Sequence, residues 1–165
     1  MTRLSNFNWS RDPGFAAISI ISVAVASVVG QLATYPNLVP WYSGLMKPPF
    51  NPPNWIFAPV WTALYALMAL SVWRILRLPP SSMRLSALAL FFAQLFLNAA
   101  WSWMFFGAQN PLLGLTNIVP QFLVILATSI LFYRLDKLAA FCLCPLLAWV
   151  GFATALNAAI WRLNG

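Results

Sequence analysis

The sequence predicts an all-α integral membrane protein, a bundle of five transmembrane helices with a structured Pro/Trp-rich loop between helices 1 and 2. Of its 165 residues, 62% are hydrophobic and 7% are charged, whereas soluble globular domains are about 25% charged. Five windows are apolar enough to cross a hydrocarbon core of about 30 Å, at about residues 15–36, 56–76, 85–106, 112–134 and 138–160. The ten-residue alternation typical of a membrane β-barrel is absent from the sequence. We therefore expect a single membrane domain over residues 1–165.

The first window is interpreted as a span, because it is too long for the hydrophobic region of a signal peptide. It also ends in QLATYPN rather than in a small-residue cleavage site. With five spans, the basic residues divide unequally between the two sides. The tail and loops 2 and 4 share one side, and they carry Arg3, Arg11, Arg74, Arg77, Arg84, Arg134 and Lys137, whereas the other side carries Lys47 and Arg162. The positive-inside rule then predicts a cytoplasmic N-terminus, with loop 1 and the C-terminus on the opposite side.

We therefore attribute the net charge of +7 to basic residues that set the orientation of the spans in the membrane, with some contact to anionic lipid. Nucleic-acid binding is not expected, because no basic cluster is interleaved with exposed aromatic residues. The lipid bilayer is the expected partner of this surface.

Loop 1, at about residues 37–55, contains the segment WYSGLMKPPFNPPNW. Prolines fix φ and hold the preceding residue extended, so this segment is expected to be stiff and partly polyproline-like. The other links are short, which predicts antiparallel neighbouring helices in one compact bundle. A long, ordered loop is more often functional than a short link, and we interpret loop 1 as a lid.

Few reactive side chains are available. The sequence has no histidine, and its only acids are Asp12 and Asp136. These facts exclude a Ser-His-Asp triad, a pair of facing carboxylates and a conventional metal cluster. Cys142 and Cys144 are two residues apart on a helix, so they point to different sides and a disulfide between them is not expected.

Small residues at four-residue spacing predict close helix contacts. They occur as Ala26 and Gly30 in the first span and as Gly151, Ala155 and Ala159 in the fifth. Both sets are compatible with packing inside one bundle and with packing across a dimer.

Polar and aromatic side chains form three stripes at helical spacing. They are Trp61, Tyr65 and Met68 in the second span, Gln94, Asn98, Trp101 and Phe105 in the third, and Trp149, Ala153 and Asn157 in the fifth. Amides are costly in hydrocarbon, so these amides are expected to face the interior. The stripes can serve as contacts between helices, or they can line a pocket for a flat, apolar ligand with a polar edge.

Three segments resemble one family, the tryptophan-rich sensory proteins and translocator proteins, also called peripheral-type benzodiazepine receptors. They are WYSGLMKPPFNPPNWIFAPVWTALYALMALSVWRI, QLFLNAAWSWMFFG and CPLLAWVGFATALNAAIWRLN. The resemblance implies a five-helix bundle, commonly a homodimer, that binds porphyrins such as haem and protoporphyrin, cholesterol and benzodiazepine-site drugs. It implies a pocket under loop 1 that is lined by Tyr42, Pro52, Pro53, Trp61, Asn98, Trp149 and Ala153.

This sequence departs from the family pattern at several positions. Phe50 and Phe122 replace usual tryptophans, and Leu146 replaces a common tyrosine. Ala158 stands where animal members carry the tyrosine of a sterol-recognition stretch, which argues against cholesterol binding and favours a bacterial member in the cell membrane.

The predicted function is a receptor or transport-type protein that binds porphyrins and benzodiazepine-site ligands and takes part in tetrapyrrole transport or sensing. No catalytic residue, metal or required cofactor is expected, and porphyrin or haem is the ligand. The alternatives are an enzyme that degrades porphyrin, in a light-dependent reaction, and a regulatory scaffold that acts through a partner membrane protein. The predicted ligand-binding residues are Tyr42, Pro52, Pro53, Trp61, Tyr65, Gln94, Asn98, Trp101, Trp149 and Ala153.

Overall fold

The computed structural model describes residues 12–165, and within them every regular element is helical. Five long helices follow one another: α1 (Asp12–Thr34), α2 (Asn54–Leu76), α3 (Ser82–Ser102), α4 (Pro111–Leu135) and α5 (Lys137–Asn164). All five, with the helical turns that extend them, are long and apolar enough to cross a membrane. The predicted all-α membrane bundle is confirmed. Arg3 and Arg11 of the predicted cytoplasmic tail lie outside the described residues.

Side-chain caps fix where three of the helices begin. The Ser81 hydroxyl accepts from the backbone N–H of Arg84, the Asn110 side chain accepts from Leu112 and Leu113, and the Asp136 carboxylate accepts from Ala139. Each acceptor satisfies N–H groups that a helix start leaves without partners. Because Asp136 both ends α4 and caps α5, the link between these two helices is a single residue.

The helices form a closed ring in the order α1, α2, α5, α4, α3, with each helix packed against the two beside it. Helices α2 and α3 face each other across the interior and approach closely at few points. The main core lies between the helices of the ring, and its fully buried side chains include Met68, Phe91, Ile125 and Phe132. A smaller cluster lies toward loop 1 and contains Tyr42, Phe105, Phe106, Leu156 and Ile160.

Close helix contacts occur where the small residues predict them, inside the bundle. A Cβ added to Gly30 would lie 3.1 Å from the Ser102 hydroxyl of α3, and one added to Gly151 would lie 3.3 Å from the Phe122 ring of α4. Ala155, in contrast, is exposed. The two glycines therefore serve contacts within this chain.

The two ends of the bundle are held by different contacts. At one end, Asp12 pairs with Arg77 at 3.0 Å and Asp136 pairs with Arg74 at 2.7 Å. These pairs place the start of α1, the end of α2 and the α4–α5 link on the same side. Which side faces the cytoplasm stays a prediction.

At the other end, loop 1 meets the end of α5. The Asn164 side chain accepts from the backbone N–H of Met46 and donates to its carbonyl, both at 2.9 Å. Loop 1 and the C-terminal end of α5 therefore share a side, opposite the ion pairs.

Loop 1 is shorter than predicted. Helical turns continue from α1 through Tyr35–Asn37 and Leu38–Tyr42 to Gly44, interrupted at Val39, which is extended (φ −132°, ψ 130°) as the residue before a proline usually is. The non-helical part of the loop covers only residues 45–53. Within it, the backbone N–H of Asn51 donates to the Pro48 carbonyl at 3.0 Å, so the proline-rich segment folds into a turn rather than a fully extended arm.

Both cysteines are free, with Cys142 buried and Cys144 exposed. This confirms that they point to different sides of α5. The helix continues through Pro145, as α4 does through Pro120.

Candidate functional site

The polar centre of the candidate site is a contact between α2 and α3. The Tyr65 hydroxyl donates to the Asn98 side-chain oxygen at 2.8 Å, and Asn98 is 5% exposed. One turn earlier on α2, the Trp61 ring lies 5.4 Å from the Tyr65 ring. The spacing of four residues places both rings on the same face of α2, and the predicted stripe is therefore present.

Gln94 lies one turn before Asn98 on α3 and is buried at 1% exposure. Its amide nitrogen donates to the Met68 sulfur at 3.7 Å, while its amide oxygen has no partner within residues 12–165. A thioether is a weak acceptor, so this buried amide is poorly satisfied. An unsatisfied buried oxygen is available to a ligand donor or a water molecule.

Trp149 on α5 brings a further ring toward the same core. It contacts Phe57 of α2 at 5.8 Å in an edge-to-face arrangement and Phe152 at 5.7 Å. Phe152 in turn lies 6.3 Å from Phe50 of loop 1. A continuous path of aromatic contacts therefore joins the loop to the interior. Ala153, one turn after Trp149, is half-buried against the main core.

Tyr42 lies in the smaller cluster rather than beside Asn98. It is 6% exposed, its ring packs 5.4 Å from that of Phe106, and its hydroxyl donates to the Asn51 side chain at 3.3 Å. The Lys47 ammonium group lies 4.7 Å from the centre of the Tyr42 ring. Tyr42 is therefore positioned by loop 1 on one side and by the Phe106 ring on the other.

Trp101 packs against both clusters. Its ring stacks on Phe105 with centroids 5.0 Å apart, and its indole N–H donates to the Asn157 oxygen at 3.1 Å. The Asn157 amide nitrogen donates to the Pro111 carbonyl at 2.7 Å. Asn157 thus connects α3, α4 and α5. Of the two roles considered for its stripe, this is contact between helices.

The two loop prolines of the predicted set lie at the start of α2. Pro52 is half-buried, and Pro53 is exposed and precedes the first residue of the helix. The structure thus groups Trp61, Tyr65, Gln94, Asn98, Trp149 and Ala153 around the main core. Tyr42 is in the loop-side cluster, Trp101 lies between the two, and the prolines precede α2.

Sequence reasoning did not select Asn51 or Phe57. Phe57 is four residues before Trp61, so extending the α2 stripe by one turn would have found it. Asn51 is positioned by the tertiary fold of the loop, and no local pattern identifies it.

The outer surface of residues 12–165 includes two grooves that none of the ten predicted residues lines. The first lies between α4 and α5 near their link. The second lies between loop 1 and α5, where it includes Lys47, Ala158 and Arg162. The small side chain of Ala158 therefore borders an open groove instead of filling it.

Comparisons with known proteins identify the family. The sequence profile of the TspO/MBR family matches residues 17–162. The tryptophan-rich protein TspO of Archaeoglobus fulgidus is 40% identical over 88% of this chain and 94% of its own length. The protein CrtK of Rhodobacter capsulatus is 34% identical over 90% and 91% of the two chains. The human translocator protein is 35% identical over 94% and 91%.

These relatives and the five spanning helices support a membrane receptor or transport-type role. Because the match covers nearly all of the described residues and the sequence motifs have the expected helical positions, the chain belongs to the TspO/MBR family.

Proposed function

We propose that this protein binds porphyrins, among them protoporphyrin IX and haem, and benzodiazepine-site ligands between α2, α3 and α5 under loop 1, and that it serves tetrapyrrole transport or sensing. The observation that carries the proposal is the Tyr65–Asn98 hydrogen bond with the Trp61 ring beside it. It combines a buried amide with two neighbouring aromatic rings, which are tilted by 33° to each other. A flat ligand with polar edges requires both.

The distribution of charge also supports a porphyrin as ligand. The main core contains amides, hydroxyls and rings, and no carboxylate or cation lines it within residues 12–165. The macrocycle would lie against the rings, and its carboxylates would point toward the loop-side end, where Lys47 lies. Among the residues that the structure describes, the Lys47 ammonium donates to the Ser43 and Leu45 carbonyls, at 3.4 and 3.1 Å, and no carboxylate there neutralises its positive charge.

Coordination of haem iron is not expected to determine the affinity for a porphyrin. The sequence contains no histidine, and histidine is the most common axial ligand of haem iron in proteins that bind small gases. Ring stacking would therefore dominate the binding free energy. Metal-free protoporphyrin IX is expected to bind about as tightly as haem.

Quenching of tryptophan fluorescence by protoporphyrin IX and by haem, in detergent micelles, tests this proposal. The expected result is saturable binding with similar affinities for the two compounds. Asn98→Ala should weaken both by roughly tenfold, because a buried polar contact to a ligand is lost. Gln31→Ala is the matched control, since Gln31 is an exposed amide on α1 whose side chain donates to the Ser27 hydroxyl at 2.8 Å, far from the candidate site.

Equal affinities of the Asn98→Ala and Gln31→Ala proteins would place the ligand elsewhere. A strong preference for haem with a shifted Soret band would contradict binding through ring stacking, because it indicates coordination of the iron.

A further inference from the structure

The groove between α4 and α5 opens on the outer face of the bundle, near the Asp136 link. The residues that line it come from the last turns of α4 and the first turns of α5: Ser129, Ile130, Tyr133, Arg134, Ala140, Phe141 and Cys144. Its volume of about 250 Å³ is below the 300–1,000 Å³ of typical pockets for drug-sized molecules. A narrow ligand such as a hydrocarbon chain therefore suits it better than a macrocycle.

The lining of the groove is apolar along the helices and positively charged at one end. Tyr133 and Phe141 are 50% and 58% exposed, and their rings meet edge-to-face at 6.3 Å. Arg134 lies in the last turn of α4. The Lys137 ammonium group lies 5.6 Å from the centre of the Tyr133 ring. Two cations, Arg134 and Lys137, therefore lie at the end of the groove that contains the paired rings.

Nothing within the described chain neutralises these two cations. The sequence has only two acids, and both are already engaged. Asp12 pairs with Arg77, and Asp136 pairs with Arg74 while it caps α5. Within residues 12–165, neither the Arg134 side chain nor the Lys137 side chain has a hydrogen-bond acceptor or a carboxylate partner. The corner where α4 meets α5 therefore has a net positive charge that an external anion can balance.

We infer that this groove is a binding site for an anionic glycerophospholipid, with one acyl chain along Ile130 and Phe141 and the phosphate between Arg134 and Lys137. Both helices cross the membrane by length and composition, so a groove that opens outward between them is in contact with lipid. Basic pockets between transmembrane helices bind anionic headgroups in this way. The site is separate from the proposed porphyrin pocket, which faces the interior.

Native mass spectrometry of the detergent-purified protein tests the inference. The protein is incubated with phosphatidylglycerol or with phosphatidylcholine of identical acyl chains, at about 150 mM salt, and the bound fraction of each is measured. Phosphatidylglycerol should be retained preferentially. Arg134→Gln and Lys137→Gln should each reduce that preference about fivefold, since each basic residue near the surface contributes a comparable factor.

Three further variants separate this site from general charge attraction and from misfolding. Arg162→Gln removes a cation at the opposite end of the bundle and should leave the preference unchanged. Arg134→Lys keeps the charge and should retain it. Cys144→Trp places a large ring in the groove at an exposed position and should lower the binding of both lipids.

Several results would overturn the inference: equal retention of the two lipids by the unmodified protein, or an Arg162→Gln effect as large as that of Arg134→Gln. Displacement of phosphatidylglycerol by inorganic phosphate at millimolar concentration would show that only the anion binds and that the groove holds no acyl chain.

Discussion

Replacing Tyr65 with phenylalanine tests the central contact of the candidate site. The substitution removes one hydroxyl and keeps the ring beside Trp61. In the ligand-free protein that hydroxyl donates to Asn98 at 2.8 Å, and Asn98 is the side chain proposed to contact a ligand. A ligand donor that approaches the Asn98 oxygen therefore competes with the Tyr65 hydroxyl for the same acceptor.

The substitution should therefore have opposite effects on stability and on affinity. Hydrogen bonds between membrane helices contribute about 0.6 kcal/mol on average, and a buried acceptor left without a partner costs about 1–3 kcal/mol. We expect Tyr65→Phe to lower the free energy of unfolding by about 1 kcal/mol. Because the competing donor is gone, the affinity for protoporphyrin IX should rise about fivefold, which corresponds to about 1 kcal/mol.

Thermal unfolding in detergent gives the stability, and fluorescence titration of the same samples gives the affinity. Tyr35→Phe is the matched control, because Tyr35 is 63% exposed and should change neither quantity. If the Tyr65→Phe protein loses affinity along with stability, the hydroxyl contacts the ligand directly, and the competition described here is refuted.

Two further substitutions test the packing of the bundle. Asp136→Asn should destabilise the protein by about 1–2 kcal/mol at pH 7, because charged hydrogen bonds to Arg74 are lost. Partial burial opposes ionisation of Asp136, but its bonds to Arg74 and to the α5 backbone hold its pKa below the ordinary value. The stabilisation is therefore present above about pH 4 and is lost as the pH falls through the folded-state pKa. Unfolding curves from pH 3 to 7 should show the stabilities of the variant and the unmodified protein converging at low pH. Gly114→Ala would place a Cβ 2.8 Å from the Phe105 ring and should lower the free energy of unfolding by about 1–3 kcal/mol, measured by thermal unfolding. The control Gly44→Ala, whose Cβ meets nothing within 4 Å, should lower it by under about 0.5 kcal/mol. Equal losses would contradict the close approach of α4 to Phe105.

The sequence was sufficient to predict the elements whose cause is local. Hydropathy over about 20 residues determines a membrane span, and each of the five predicted windows overlaps one of the five spanning helices. Helical periodicity also placed Trp61 and Tyr65 on one face of α2. The cost of an unbonded amide in hydrocarbon correctly predicted that Asn98 and Gln94 are buried.

Features that depend on contacts between distant segments could not be predicted in this way. The helical turns that extend α1 to Gly44 contain two prolines, which in sequence favour an earlier end. The pairing of Asn98 with Tyr65 depends on the ring order of the helices, which places α2 opposite α3. The sequence left both a pocket and a helix contact open for Asn157, and its bonds to Trp101 and Pro111 show that it connects helices.

Because different kinds of contact close the two ends of the bundle, the ends should respond differently to pH and salt. Acid and high ionic strength weaken carboxylate–guanidinium pairs, and in residues 12–165 these pairs occur only at the Asp12 and Asp136 end. The far end is closed by the amide of Asn164 and by aromatic edges, none of which titrates between pH 3 and 9. Acid or high salt can therefore loosen the ion-paired end of the bundle while the loop 1 end stays closed, because the hydrogen bonds and aromatic contacts of the loop 1 end do not depend on ionisation.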